Sequence, residues 1–191
     1  MVDKRWTVVK VGGSLFDLPD LGDRLRRFFA TLGDAPTLIF PGGGRAADAV
    51  RWLDQIHQLG EEASHWLAIQ ALSINARFLQ SLLPEALLIA DAEECWRSLD
   101  RSSMCILDPW PFFQDDERRA DRCPHAWDVT SDSLSLRAAA LMGARALVLL
   151  KSVEWVGGDW SEAGQDGIVD AWFATALKKW PIAVKVVNLR A

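Results

Sequence analysis

Lys10 interrupts an otherwise apolar run, Thr7-Val8-Val9-Lys10-Val11, and Gly12-Gly13-Ser14 follows at once. A lysine near the carboxyl end of a buried strand is costly to bury unless it meets an anion. The plainer alternative is a tight turn with the ammonium reaching back to water. Two glycines let a backbone approach an anion closely with its N–H groups facing it. A second run, Thr37-Leu38-Ile39-Phe40, ends in Pro41-Gly42-Gly43-Gly44 before a helix expected from about Ala46, with Val50, Leu53 and His57 on roughly one face. Strand, triple glycine and helix again suit an anion, held at the positive end of the helix. Two such loops fall at one edge of a parallel sheet, where α/β proteins bind ligands. The chemistry that fits is the holding of phosphate or carboxylate oxygens. Neither the P-loop spacing nor a strand-linked G-x-G-x-x-G occurs.

The third stretch is Trp127-Asp128-Val129-Thr130-Ser131-Asp132-Ser133. Any of Thr130, Ser131 or Asp132 could cap a helix expected over 134–142, which Gly143 closes. Residues 144–150 then read as a strand covered on both faces, because the apolar run is short and continuous. Lys151 follows it, either as a phosphate-facing charge or as a surface residue. Ten tryptophans with no tyrosine mostly serve packing on this reading, and Trp127 is set apart as a candidate pocket wall.

The elements that would position these groups follow from periodicity. A Leu- and Arg-rich helix is expected over 21–32, and a long one over 61–82 with Leu67, Ala71, Ile74, Phe78 and Leu82 at helical spacing. His65, at the start of that helix, reads as a packing or capping residue before an acid–base group. Strands are expected at 87–89 and 104–107, with a helix fragment at 95–99 between them. Residues 108–126, rich in Pro, Asp and Arg, read as a loop over the carboxyl edge of the sheet, and Asp115, Asp116, Glu117, Arg118 and Arg119 as a solvated face. One helix to about residue 179 and a strand over 182–187 complete the chain.

Taken together, Lys10-Val11-Gly12-Gly13-Ser14, Pro41-Gly42-Gly43-Gly44 and Thr130-Ser131-Asp132 resemble the amino acid kinase (carbamate kinase-like) superfamily over about residues 7–156. The resemblance implies a three-layer αβα sandwich around a mainly parallel sheet. It implies a small-molecule kinase using ATP and magnesium on a phosphate or carboxylate acceptor. By that resemblance, Lys10 and Asp132 are catalytic candidates; Lys151, which departs from the superfamily pattern, joins them on its own position and charge. Lys10, Gly12, Gly13, Ser14 and Lys151 would face the donor phosphates, with N–H donation from Gly12 and Gly13. Gly42, Gly43, Gly44, Trp127, Asp128, Thr130 and Ser131 would bind the acceptor. His65-Trp66-Leu67-Ala68-Ile69 and the wording from Pro124 to Ser133 narrow the similarity to the branch with the aminomethylfuran phosphate kinase of methanofuran-type one-carbon cofactor biosynthesis.

The resemblance is incomplete late in the chain. Lys151-Ser152-Val153-Glu154-Trp155 stands where a Thr-Asp-Val-Asp-Gly-like run is common, and Lys178, Lys179 and Lys185 lie in no Gly-Met-rich helix start. The expectation is one domain over 1–191, with an acceptor-binding half and catalytic core in 1–150 and a shortened nucleotide half in 151–191. A non-catalytic ligand-binding or scaffold relative that has lost ATP binding is the competing expectation.

Composition bounds the rest. A chain of 191 residues that is 50% hydrophobic can bury one substantial core. Its net charge of -5 opposes a nucleic-acid partner, since phosphate backbones need a positive face. No apolar run spans a bilayer, and the first residues lack a signal-like segment. Cys95, Cys105 and Cys123 are odd in number and without metal spacing, which suits reduced thiols in a cytoplasm. Superfamily members are frequently homodimers, and the helix from Glu61 offers a face for one.

Overall fold

The computed structural model describes residues 6–98 and 104–191. Six strands, β1 (Thr7–Val11), β2 (Thr37–Pro41), β3 (Leu87–Ile89), β4 (Met104–Leu107), β5 (Ala146–Lys151) and β6 (Ala183–Asn188), form one sheet in the order β3-β4-β2-β1-β5-β6. All five pairings are parallel. The strands are continuous apolar runs because both faces are covered. On one face Val8, Leu38, Phe40, Leu147 and Leu149 pack under helices α5 (Pro109–Asp116), α6 (Ser131–Leu141) and α8 (Phe173–Lys179). On the other, Val9, Val11, Ile39 and Leu150 meet α1 (Leu21–Ala30) and the C-terminal half of α3 (Glu61–Leu82). This is the expected αβα sandwich.

Strand parity decides where the lysines point. Lys10 sits level with Phe40 and Leu149, and Lys151 is two residues beyond Leu149 on the neighbouring strand. Side chains alternate across a sheet, so both lysines emerge on the α6 face near the carboxyl edge. β5 runs to Lys151 and starts at Ala146, not at residue 144. The lysine expected as an open choice between phosphate-facing charge and surface residue is thus a strand residue.

Several expectations need correction. Part of 108–126 is helical, because Asp108 accepts from the Trp110 N–H and Pro109 opens the first turn, where no donor is required. Phe112 and Phe113 of that helix are buried. Asp116 is not solvated either: it is 3% exposed and paired with Arg137. The buried stripe of α3 is Ile69, Leu72, Ala76 and Leu79, with Ala71 buried as expected, whereas Leu67 and Ile74 face outward. Helix α2 (Gly44–His57) buries Val50 but exposes Leu53 and His57. α6 starts at Ser131 with Thr130 as N-cap, and no local side chain caps it. The late segment holds two short helices, α7 (Trp160–Gln165) and α8, where one was expected. The remaining helix, α4 (Ala92–Arg97), replaces the fragment expected at 95–99, of which Leu99 lies outside the described residues. All three cysteines are buried and free.

Candidate active site

The two glycine loops pack backbone on backbone. A Cβ on Gly13 would stand 2.1 Å from the Gly44 nitrogen, and one on Gly42 would stand 2.4 Å from the Gly13 nitrogen. No side chain fits between them, which explains glycine at these positions better than turn geometry does. Asn75, on the buried face of α3, donates through Nδ2 to the carbonyls of Gly42 and Gly43, each at 2.7 Å. That pins the second loop against the first. Gly12 corrects one expectation: its N–H donates to the Leu150 carbonyl at 2.9 Å. It therefore extends the strand ladder and has no N–H left for a phosphate. Gly13→Ala should destabilise the fold by about 1–3 kcal/mol through overpacking, read as a lower unfolding midpoint in denaturant. A parent-like midpoint would mean that the loops have slack.

Beside this junction three charged side chains meet. Lys10 Nζ lies 2.9 Å from Asp132 Oδ1, and Lys151 Nζ lies 2.7 Å from both Asp132 oxygens. Lys10 and Asp132 are 4% and 5% exposed. Two cations share one anion directly, in a poorly solvated place, and a second carboxylate, Asp170, stands near Lys151. Burial raises the Asp132 carboxyl, but the two ammonium groups outweigh it and hold the group below its ordinary range. Lys151 is lowered too, but against its charged form: burial, and then the like charge of Lys10, bring it to about 8 against the opposing pull of Asp132. A cation pair held this way is poised to take up further negative charge.

A cleft of 1010 Å³ opens over the cluster. Its walls include Lys10, Gly13, Ser14, Gly43, Gly44, Trp127, Thr130, Ser131 and Asp132. Gly12, Gly42, Asp128 and Lys151 are not among the lining residues, although Lys151 reaches the cluster through Asp132. Asp128 is exposed, and its carbonyl accepts from the Trp172 N–H. Trp127 stands as a wall, fixed by its Nε1–H to Asp54 at 2.7 Å and with the Arg51 guanidinium 4.6 Å over its ring. His65 also faces the cleft, stacked on His125 at 3.9 Å between ring centroids. His125 in turn reaches Glu62 and Glu117 at 2.5 and 3.0 Å. Burial, with the neighbouring His125 charge, lowers His65 to about 4, so it is a neutral ring at neutral pH.

Sequence reasoning missed two residues that build the site. Asn75 had a readable signal, as one polar residue at the helical spacing of Leu72, Ala76 and Leu79. Asp170 had none. Its carboxylate accepts from Thr130 N, Thr130 Oγ1 and Ser133 N at 2.9–3.0 Å, and from Ser133 Oγ at 2.5 Å. It therefore supplies the cap that the expected local hydroxyls do not. Among the described residues no cluster of three or more His, Cys, Asp or Glu is placed to hold a metal, and no helix is long and apolar enough to cross a membrane.

This geometry belongs with a sequence match over residues 5–158 to the amino acid kinase family, and the chain is a member of that family. By class it is a phosphotransferase, a kinase of small molecules. Among individual proteins, it is similar to the [5-(aminomethyl)furan-3-yl]methyl phosphate kinase of Methanocaldococcus jannaschii, at 28% identity over 153 residues, 78% of this chain and 67% of that protein. In fold it is similar to the crystal structures of uridylate kinase from Archaeoglobus fulgidus and UMP kinase from Ureaplasma parvum, each with a TM-score of 0.68 and 14% identity. Those likenesses cover 96% and 98% of this chain, and 90% and 91% of the other chains.

Proposed function

We propose that the chain transfers the terminal phosphoryl group of ATP to a phosphate or carboxylate acceptor, with [5-(aminomethyl)furan-3-yl]methyl phosphate as the leading candidate. The observation that carries this reading is the Lys10–Asp132–Lys151 cluster at the junction of two glycine loops. Phosphoryl transfer asks a protein for positioning and for charge on the equatorial oxygens, and little covalent chemistry. An acceptor oxygen attacks the γ-phosphorus, the bond to the β–γ bridging oxygen breaks, and ADP leaves. Lys10 and Lys151 neutralise the transferred group, and Asp132 fixes the distance between them. Gly13 and Ser14 face the donor phosphates, with Gly12 as the close-fitting residue behind them. Gly43 and Gly44 face the acceptor, with Gly42 packed behind, and Trp127, Thr130 and Ser131 wall it in.

Residues 1–150 on this reading hold the acceptor and the catalytic core, and 151–191 belong to the nucleotide half. Magnesium would be carried by the phosphate oxygens, as is usual for an ion that keeps much of its water and takes few protein ligands. Asp132 is already committed to two lysines and so is not free to ligate the ion.

The test is incubation with Mg-ATP and the furan phosphate, followed by 31P NMR for a diphosphate product and ADP. Transfer to UMP with none to the furan phosphate would sink the acceptor assignment. The pH profile is a second check. Lys151 is an ammonium below about 8 and neutral above it, so kcat/KM, which reports on the free enzyme, should fall as pH rises through that value. Lys151→Arg keeps its charge and should remove the alkaline fall. An unchanged profile in that variant would assign the limb to another group.

A further inference from the structure

The clamp at Asp170 goes beyond helix capping. Asp132 is the second residue of α6, and the residues Asp170 grips, Thr130 and Ser133, bracket it. The clamp comes from the turn before α8, which a second bond, Trp172 N–H to the Asp128 carbonyl at 3.2 Å, ties to the same loop-to-helix entry. A carboxylate at a helix N-terminus satisfies free N–H groups and opposes the positive end of the helix. Here it comes from about forty residues downstream, so the late segment holds the early one in place. The charged groups facing Asp170 are Asp132 and Lys151, with the Cys123 thiol nearby. Asp170 itself is pushed up by burial and by Asp132, yet it accepts four hydrogen bonds. Such a group is ill suited to stability alone: a neutral Asn or Ser cap at Thr130 would satisfy the same helix end without placing a second carboxylate beside Asp132.

We propose that Asp170 is a positioning residue for phosphoryl transfer: by fixing Thr130 and Ser133 it sets where Asp132 stands, and so holds Lys10 and Lys151 at their working separation. This rests on the reading of the cluster as the phosphoryl-transfer centre. Asp170 touches neither donor nor acceptor. Its effect travels through the first turn of α6 to the two ammonium groups, and its negative charge also favours the charged form of Lys151.

The experiment compares the parent with Asp170→Asn and Ser133→Ala in the full chain. Asp170→Asn keeps the shape but turns half of the acceptor into a donor facing donors. Two readouts are taken. In the first, the Lys151 side chain is titrated by NMR on protein with labelled lysine, which needs no substrate. Its midpoint should fall below about 8 in Asp170→Asn. In the second, kcat with Mg-ATP and the acceptor should drop about 10²-fold, the scale of a small misplacement of reacting groups, with acceptor KM little changed. A simple capping role would lower the unfolding midpoint and leave kcat in Asp170→Asn, and both readouts in Ser133→Ala (which keeps the Asp170 charge), as in the parent, and that result overturns the proposal. If Asp170→Asn does not fold, Ser133→Ala removes only the hydroxyl bond and should shift both readouts the same way by less. No shift there also overturns it. Should the protein transfer no phosphoryl group at all, the titration still decides whether Asp170 sets Lys151, and the functional reading fails separately.

Discussion

Lys10→Ala should turn over on the order of 10²–10³-fold more slowly in kcat, the loss typical of removing one preorganised electrostatic donor. The charge count is the reason. With Lys10 present, two ammonium groups share Asp132, and Lys10, which lines the cleft, remains to meet the transferred phosphoryl group. Without it, Lys151 alone faces the Asp132 and Asp170 carboxylates and the centre has no spare cation for an anion. The fold should tolerate the change, because Asp132 still accepts from Lys151 through both oxygens. Acceptor KM should therefore move much less than kcat. Lys10→Ala combined with Lys151→Ala should not multiply the two losses, since residues acting as a unit are non-additive. Steady-state assays on the three variants test this, and a Lys10→Ala protein as fast as the parent would remove the cation from the mechanism.

The largest stability effect should come from a different buried cation. Arg137, 2% exposed, donates from Nε and Nη2 to Asp116 at 2.9 and 2.7 Å, and reaches Asp121 at 2.8 and 2.9 Å. Its guanidinium also lies 4.7 Å over the Trp180 ring. It ties α6 to α5 and to the entry of the 117–130 segment. Arg137→Ala leaves Asp116 a buried carboxylate with only the half-exposed Arg119, 3.6 Å away, as a partner, which should cost about 3–5 kcal/mol. Asp121, at 55% side-chain exposure, should cost far less when changed to Ala, because water takes over its hydration. A double change of Arg137 and Asp116 to Met and Leu should recover much of the loss. Denaturant unfolding of the three variants measures it. A cost below about 1 kcal/mol for Arg137→Ala would mean that water enters the pair.

What the sequence made legible follows from which interactions are local. Continuous apolar runs identify every strand core, and glycines after two of them place the loops at one edge. The third motif put Asp132 at a helix start. Interactions that join distant segments were not legible. Nothing near residue 170 announces that its carboxylate caps a helix starting at residue 131, and nothing near residue 116 says that its partner is Arg137. Lys151 after an apolar run looks like a strand boundary, yet parity carries it to the Lys10 face. α3 is apolar around much of its circumference, so Leu67 and Ile74 were as plausible a buried stripe as Ile69 and Leu72. α5 was hidden by its composition, because proline and aspartate read as loop unless they fall, as here, at the cap and first turn.

The decisive measurement is a crystal structure with magnesium and a non-hydrolysable ATP analogue. The terminal phosphate should lie within about 3 Å of both lysine Nζ atoms, over the Gly13 loop. A well-ordered nucleotide with its phosphates elsewhere on the molecule would contradict the assignment of this cluster as the phosphoryl-transfer centre.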